Sequence, residues 1–227
     1  MVCSEMKRFA IPELLDSDSG SPSEIAASLS DLNRINRRFG GVATTESLVR
    51  RVVRELGTTS LSLLEVAAGT GAVPAAVAAA LMRDGIRIDV TLLDRAPSHL
   101  NGSRRAIAGD ALLLPFSDAS FDVVSSTLFV HHLTPDEVVR FVNEGLRVCR
   151  AAVVINDLVR HPAHLGLVYA GMPLYRSRLT RHDAPASVRQ AYTVEEMTGM
   201  LRKSAAARVE ITRHFLFRMG VIAWKNA

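Results

Sequence analysis

Lysine is almost missing from this chain of 227 residues: Lys7, Lys203 and Lys225 are the only three, so the formal net charge of +4 rests on arginine, which is scattered rather than striped. Aromatic residues make up 5%, too few to form the stacking platforms that hold single strands. Neither feature points to nucleic acid, and no such partner is expected. Cysteine occurs only at Cys3 and Cys149, which cannot build a disulfide framework and do not stand in a metal-type pair. Long apolar runs are lacking too. The longest, Ala72 to Met82, contains Pro74 and falls well short of the roughly 20 residues that a membrane span needs. The opening MVCSEMKRFA has no apolar h-region, so the expected location is the cytoplasm.

What is present is ordinary for a globular protein: 48% hydrophobic and 22% charged residues. The stretch DSDSGSPS from Asp16 to Ser23 reads as a loop. It lacks the acid that would close a calcium loop, because Ala27 stands at that position, so a solvated linker is expected. Ser21, Pro22 and Glu24 form a capping box, followed by Ile25, Leu29, Leu32, Ile35 and Phe39 at helical spacing. A second helix follows Gly40-Gly41, with Leu48, Val52, Val53 and Leu56 inward and Gly57 as its stop. Residues 1–57 are therefore read as a helical extension and 58–227 as the main domain.

From Leu61 onward, short apolar runs alternate with helices. Strands are expected near Leu61–Val66, Ile88–Leu93, Ala106–Ala108, Phe121–Ser126 and Ala152–Ile155. Thr134 with Glu137 and Thr193 with Glu196 give two more capping boxes. Val209–Thr212 and Phe215–Trp224 read as a terminal hairpin joined by Arg213 and His214. The fold class is α/β: a mostly parallel seven-stranded sheet of Rossmann-like type, helices on both faces, and an antiparallel strand at the C-terminal end.

The chemistry begins in LLEVAAGTG, where a strand ends at Glu65 and the chain turns through Gly69, Thr70 and Gly71 into a helix. Glycine permits the tight bend and a close approach of ligand to backbone, and the helix start offers unpaired N–H groups. Asp94 closes the second strand and Asp110 follows the third. Acids at the carboxyl ends of parallel strands sit on the rim where open α/β sheets bind ligands. One can accept both ribose hydroxyls and the other the amino group of adenine, so the set suits an adenosine ligand. A nicotinamide dinucleotide fits less well. Pro74 stands where its fingerprint wants a small residue, and Glu65 would face a pyrophosphate. A ligand with positive charge suits Glu65.

Between Leu61 and Ile155 these elements resemble the class I S-adenosylmethionine-dependent methyltransferases, in the small-molecule group of quinone and secondary-metabolite methylases. The resemblance implies that EVAAGTG, with Glu65, Ala67, Gly69 and Gly71, holds the methionine end of S-adenosylmethionine. It further implies that Asp94, with Arg95, holds the ribose, that Asp110 and Ala111 meet the adenine, and that Thr127 closes the site after LPFSDASFDVV. The product would be S-adenosylhomocysteine. Ala67 departs from the family, which often has glycine there; its methyl group fits if the residue keeps ordinary strand dihedrals.

The acceptor side is read from STLFVHHL, which places His131 and His132 on the rim as candidate bases. No metal is expected, because Asn156-Asp157 has no acidic partner within that loop, and His161 and His164 read as surface or lid residues. The segment of about 158–190, together with the N-terminal helix, is expected to close over the acceptor as a lid, with Arg176, Arg178, Arg181 and Arg189 as anchors for an anionic group. The expected reaction is O-methylation of a small phenolic, enolic or polyketide-like acceptor. Alternatives are C-methylation of a quinone-type ring, an NAD(P)-dependent reductase, and a non-catalytic cofactor-binding module. The reductase is disfavoured because Tyr169, Tyr175 and Tyr192 lack a lysine four residues later.

Overall fold

A computed structural model describes residues 6–17, 19–100 and 105–226; Cys3 lies outside them. Two helices come first, α1 (Pro22–Arg38) and α2 (Gly41–Leu56). The sheet is built from β1 (Ser60–Val66), β2 (Arg87–Asp94), β3 (Ala106–Ala108), β4 (Phe121–Thr127), β5 (Cys149–Leu158), β6 (Arg208–His214) and β7 (Arg218–Trp224). Between strands lie α3 (Ala72–Met82), α4 (Pro135–Val148), α5 (Pro162–Ala170), α6 (Arg178–Gln190) and α7 (Val194–Leu201). Strand order is β3-β2-β1-β4-β5-β7-β6, with β7 antiparallel to both of its neighbours. The order reverses between β1 and β4, the kind of switch point at which such sheets open a crevice.

Consecutive residues in the central strands go to opposite cores. Leu64, Val124 and Val153 join Phe141, Leu146, Met197 and Leu201 on one face. Leu63, Val123 and Val154 join Val77 and Leu81 of α3 on the other, together with Leu48, Val49, Val52 and Val53 of α2. Both sides of a strand must be apolar when both faces are covered, which is why these segments read as continuous hydrophobic runs. All three expected capping boxes are formed, at Ser21/Glu24, Thr134/Glu137 and Thr193/Glu196.

The terminal hairpin turns later than expected. Arg213 and His214 belong to β6, and the reversal falls at residues 215–217. Leu216 and Phe217 take left-handed φ values of 53° and 55° there. Neither is a residue that local turn chemistry would select for that conformation. At the other end of the hairpin Trp224 is buried, pairs with Ala152 near the start of β5, and donates its indole N–H to Glu210 at 2.9 Å.

Candidate active site

The carboxyl ends of β1, β2, β3 and β4 open onto a cavity of ≈ 610 Å³. Glu65, Ala67 and Gly69 stand on its wall, as do Asp94, Arg95, Asp110, Ala111 and Thr127. Four separate strand ends thus deliver their residues to one place.

Glu65 is 1% exposed, and its Oε2 finds no hydrogen-bond partner among the described residues. Burial pushes its carboxyl up to about 7, against a smaller opposite pull from the hydroxyls of Ser125 and Thr127. A buried carboxyl with one oxygen unmatched is costly unless a cation or donor meets it, and this one stands on the cavity wall. Asp94 works twice. Its Oδ2 accepts from the Gly69 N–H at 2.8 Å and its Oδ1 from the Ala96 N–H at 2.9 Å, which pins the glycine loop to the end of β2. A carboxylate offers about four acceptor sites, so room remains for two hydroxyls. Asp110 Oδ1 accepts from the Leu112 N–H at 2.8 Å and so shapes the turn after β3.

Two expectations about the loop are corrected. Ala67 does not keep strand dihedrals: its φ is 54°, in the left-handed region that disfavours a side chain. Gly71 is not on the cavity wall. It has φ 70° at the N-terminal cap of α3, and an added Cβ would lie 2.6 Å from Leu92 Cδ1. Its task is to turn the chain beneath the loop.

The remaining wall comes from residues remote in sequence. His131 and His132 lie in a short helical turn, Val130–His132, just after β4. His131 is 2% exposed; its Nδ1 is 2.7 Å from Asp157 Oδ1, and its backbone N–H donates to Asp157 Oδ2 at 3.0 Å. Its Nε2 is 3.6 Å from Glu13 Oε1. The neighbouring His132 has Nδ1 2.9 Å from Asp16 Oδ2 and Nε2 4.0 Å from Glu13 Oε2. Burial alone would lower the His131 pKa, but Asp157 and Glu13 outweigh it and raise the value to about 10. Burial likewise opposes ionisation of Glu13 and Asp16, yet the two histidines hold both below their usual range. Along the sequence these imidazoles have no acidic partner; in the fold they have three.

Glu13 and Asp16 arrive on an N-terminal arm that is fastened at several points. The Arg8 guanidinium donates to the carbonyls of His131, Leu133 and Gln190 at 2.9, 3.0 and 2.7 Å and lies 4.2 Å from the centre of the Tyr192 ring. Asp183 accepts from the backbone N–H groups of Leu14 and Leu15 at 2.8 and 3.1 Å. Glu13 Oε1 accepts from Ser187 Oγ at 2.6 Å and Gln190 Nε2 at 2.7 Å.

Helix α1 supplies Leu29, Leu32, Asn33 and Asn36 to the cavity. Its polar side is the buried one. Ser28 pairs with Thr180 at 3.1 Å, and Asp31 accepts from the backbone N–H groups of Arg176 and Ser177 at 2.7 and 3.0 Å. Of the apolar stripe legible in the sequence, Leu29 and Leu32 face the cavity, while Ile25, Ile35 and Phe39 do not line it.

The segment 158–190 folds largely as α5 and α6 and contributes only Leu158 and Ser187 to the wall. None of Arg176, Arg178, Arg181 and Arg189 reaches the cavity. Arg178 pairs with Glu24, Arg181 donates to the Tyr175 carbonyl, and Arg189 to the Tyr169 hydroxyl. His161 and His164 stack on Phe217, with ring centres 4.9 and 5.2 Å away, and are not on the wall either.

Residues 64–155 match a family model described as a methyltransferase domain. No curated protein matches the chain significantly. Among solved structures, that of the plantazolicin methyltransferase BpumL in complex with S-adenosylhomocysteine superposes with a TM-score of 0.68 at 12% identity, covering 94% of this chain and 95% of that one. An S-adenosylmethionine-dependent methyltransferase from Aquifex aeolicus gives 0.58 at 16% identity, over 91% and 100% of the two chains. The magnesium protoporphyrin IX methyltransferase of Synechocystis PCC 6803 with bound S-adenosylhomocysteine gives 0.55 at 13% identity, over 82% and 84%.

Proposed function

We propose that this chain is a class I S-adenosylmethionine-dependent methyltransferase, a reading supported by the methyltransferase-domain match over residues 64–155 and by the fold, and that it methylates a hydroxyl of a small phenolic, enolic or polyketide-like acceptor. The observation that carries this reading is that one cavity is lined both by the Glu65–Gly69–Asp94–Asp110 wall and by the paired imidazoles of His131 and His132. Glu65 receives the positive end of the cofactor, Asp94 its ribose and Asp110 its adenine. The acceptor occupies the part of the cavity walled by Leu29, Leu32 and the histidine pair.

In the transfer, the acceptor oxygen forms a bond to the sulfonium methyl as the carbon–sulfur bond breaks. The electron pair returns to sulfur, leaving a neutral thioether, and the hydroxyl proton passes to the His132 imidazole, since His131 beside Asp157 and Glu13 already holds its proton. Most of the acceleration is expected from holding the oxygen in line behind the methyl, an effect of roughly 7–11 kcal/mol where alignment is good. Water exclusion comes from the arm and α1, with 158–190 bracing them from behind. Small acceptors are also named for two similar structures, the plantazolicin and magnesium protoporphyrin IX methyltransferases.

Incubation with methyl-labelled S-adenosylmethionine and a panel of phenols and enols, read by mass spectrometry, tests the proposal. A methyl ether is the expected product, and its formation should fall in a His132→Ala variant. A methyl group found on ring carbon would replace the oxygen reading with carbon methylation, and calorimetry showing NADH bound in preference to S-adenosylhomocysteine would end both.

A further inference from the structure

The Glu13, His131 and His132 side chains form a group that the methyl-transfer reading uses only in part. Each imidazole has its Nδ1 taken up by a different carboxylate, Asp157 at 2.7 Å and Asp16 at 2.9 Å. Both Nε2 atoms are directed at the same third carboxylate, so an ion that displaced the Nε2 protons would leave each ring its Nδ1 proton toward Asp157 or Asp16. His131 Nε2 is buried and finds no hydrogen-bond partner among the described residues. It stands 3.6 Å from Glu13 Oε1, and His132 Nε2 stands 4.0 Å from Glu13 Oε2. A charged N–H···O contact closes to about 2.7–2.9 Å; the first of these stands off by nearly an ångström and the second by slightly more than one.

We infer that this gap is a binding site for a divalent first-row transition ion, held by His131 Nε2, His132 Nε2 and Glu13. One donor atom from each residue can be chosen so that all lie within 4.8 Å of one another. An ion with bonds of about 2.0–2.2 Å at tetrahedral angles wants donors about 3.3–3.6 Å apart, so the set closes on an ion by drawing in by at most about 1.5 Å. Two imidazoles and one carboxylate suit zinc, cobalt or iron(II) and suit calcium or magnesium poorly. The outer partners are those that metal-bound histidines take, a carboxylate on each remaining ring nitrogen. Glu13 is fixed as well, since Ser187 and Gln190 hold its Oε1 and leave Oε2 toward His132. Three protein ligands leave coordination positions open to the cavity.

The site itself does not rest on the proposed reaction, but its consequence does. An ion in this wall would bind the acceptor oxygen and make its hydroxyl more acidic, and His132 would then act as a ligand in place of a proton carrier.

Chelator-treated full-length protein titrated with Co²⁺ tests the inference through visible ligand-field absorption, with Zn²⁺ displacing the signal. One equivalent per chain is expected to give an intense spectrum typical of four- or five-coordination. Glu13→Gln, which preserves the shape and one carbonyl oxygen, should abolish that spectrum, and Asp16→Asn should weaken binding about 10- to 100-fold. Circular dichroism and S-adenosylhomocysteine affinity of the same variants report the fold and the cofactor half separately. No uptake of Co²⁺ or Zn²⁺ by folded wild-type protein would overturn the site, and so would uptake unchanged by both substitutions. Loss of S-adenosylhomocysteine binding alone would count against the methyltransferase reading and leave the ion site standing.

Discussion

The two halves of the cavity are assembled in different ways. The half proposed for the cofactor comes from the ends of adjacent strands, with Glu65 and Asp94 in the last residues of β1 and β2 and Asp110 just past β3, and the Asp94–Gly69 bond ties two of those ends together. The acceptor half is gathered from an arm near the N-terminus, the inverted face of α1, the turn after β4 and the end of β5. A wall built on strand ends inherits the rigidity of the sheet. One built from distant segments depends on side chains such as Arg8, Asp183 and Asp157 to keep it in register.

Substitutions can break that contrast, and the largest effect belongs to the assembled half. Asp157→Ala removes a buried carboxylate from a buried imidazole, which should cost about 3–5 kcal/mol in a denaturant titration, while the molecules still folded bind S-adenosylhomocysteine normally. If cofactor affinity collapsed as well, the halves would not be separable.

Asp94→Ala should act on the other side, weakening S-adenosylhomocysteine at least 100-fold in calorimetry, about 3 kcal/mol for two charged hydrogen-bond networks, with a smaller loss of stability. Glu65 sharpens the picture through pH. Its folded value of about 7 lies above the ordinary 4.5, so between those limits the folded state holds a proton that the unfolded chain has released. Stability from this group is therefore full below 4.5 and declines as pH rises through 7, by about 3 kcal/mol in all. Glu65→Gln should flatten that slope, raise the unliganded melting temperature at pH 8, and weaken the cofactor. Binding by the native protein near pH 6 should release a proton, visible as a buffer-dependent heat. The smallest change is Ala67→Gly, where relief of the left-handed alanine should gain up to about 1 kcal/mol with little effect on binding.

Legibility in the sequence follows the same division. The glycine turn, the acids at strand ends and the capping boxes are local signals, and each falls where expected. The mostly parallel sheet with both faces covered follows from alternation and from apolar runs that serve two faces. Glu13 and Asp16 carry no local sign of their role, because what gives them one is the path of the arm across Asp183, Ser187 and Gln190. Phe39 belonged to an apparent apolar stripe yet is 40% exposed, because it caps the C-terminal end of α1 beyond the helix's packed face. The arginines of 158–190 looked like anchors by composition, and tertiary pairing with Glu24 and Tyr169 spent them elsewhere. The late hairpin turn was missed because Leu216 and Phe217 give no glycine or asparagine to mark it.

The single tryptophan of the chain is Trp224, and its register with Ala152 sets it five residues back along β5 from Asp157, about 16 Å at strand spacing. Its fluorescence will therefore be silent toward occupancy of the cavity and responsive to global unfolding. Quenching assays on this protein would return false negatives, whereas the same emission followed through a melt reads ligand affinity indirectly, as the upward displacement that any compound bound only by the folded state imposes.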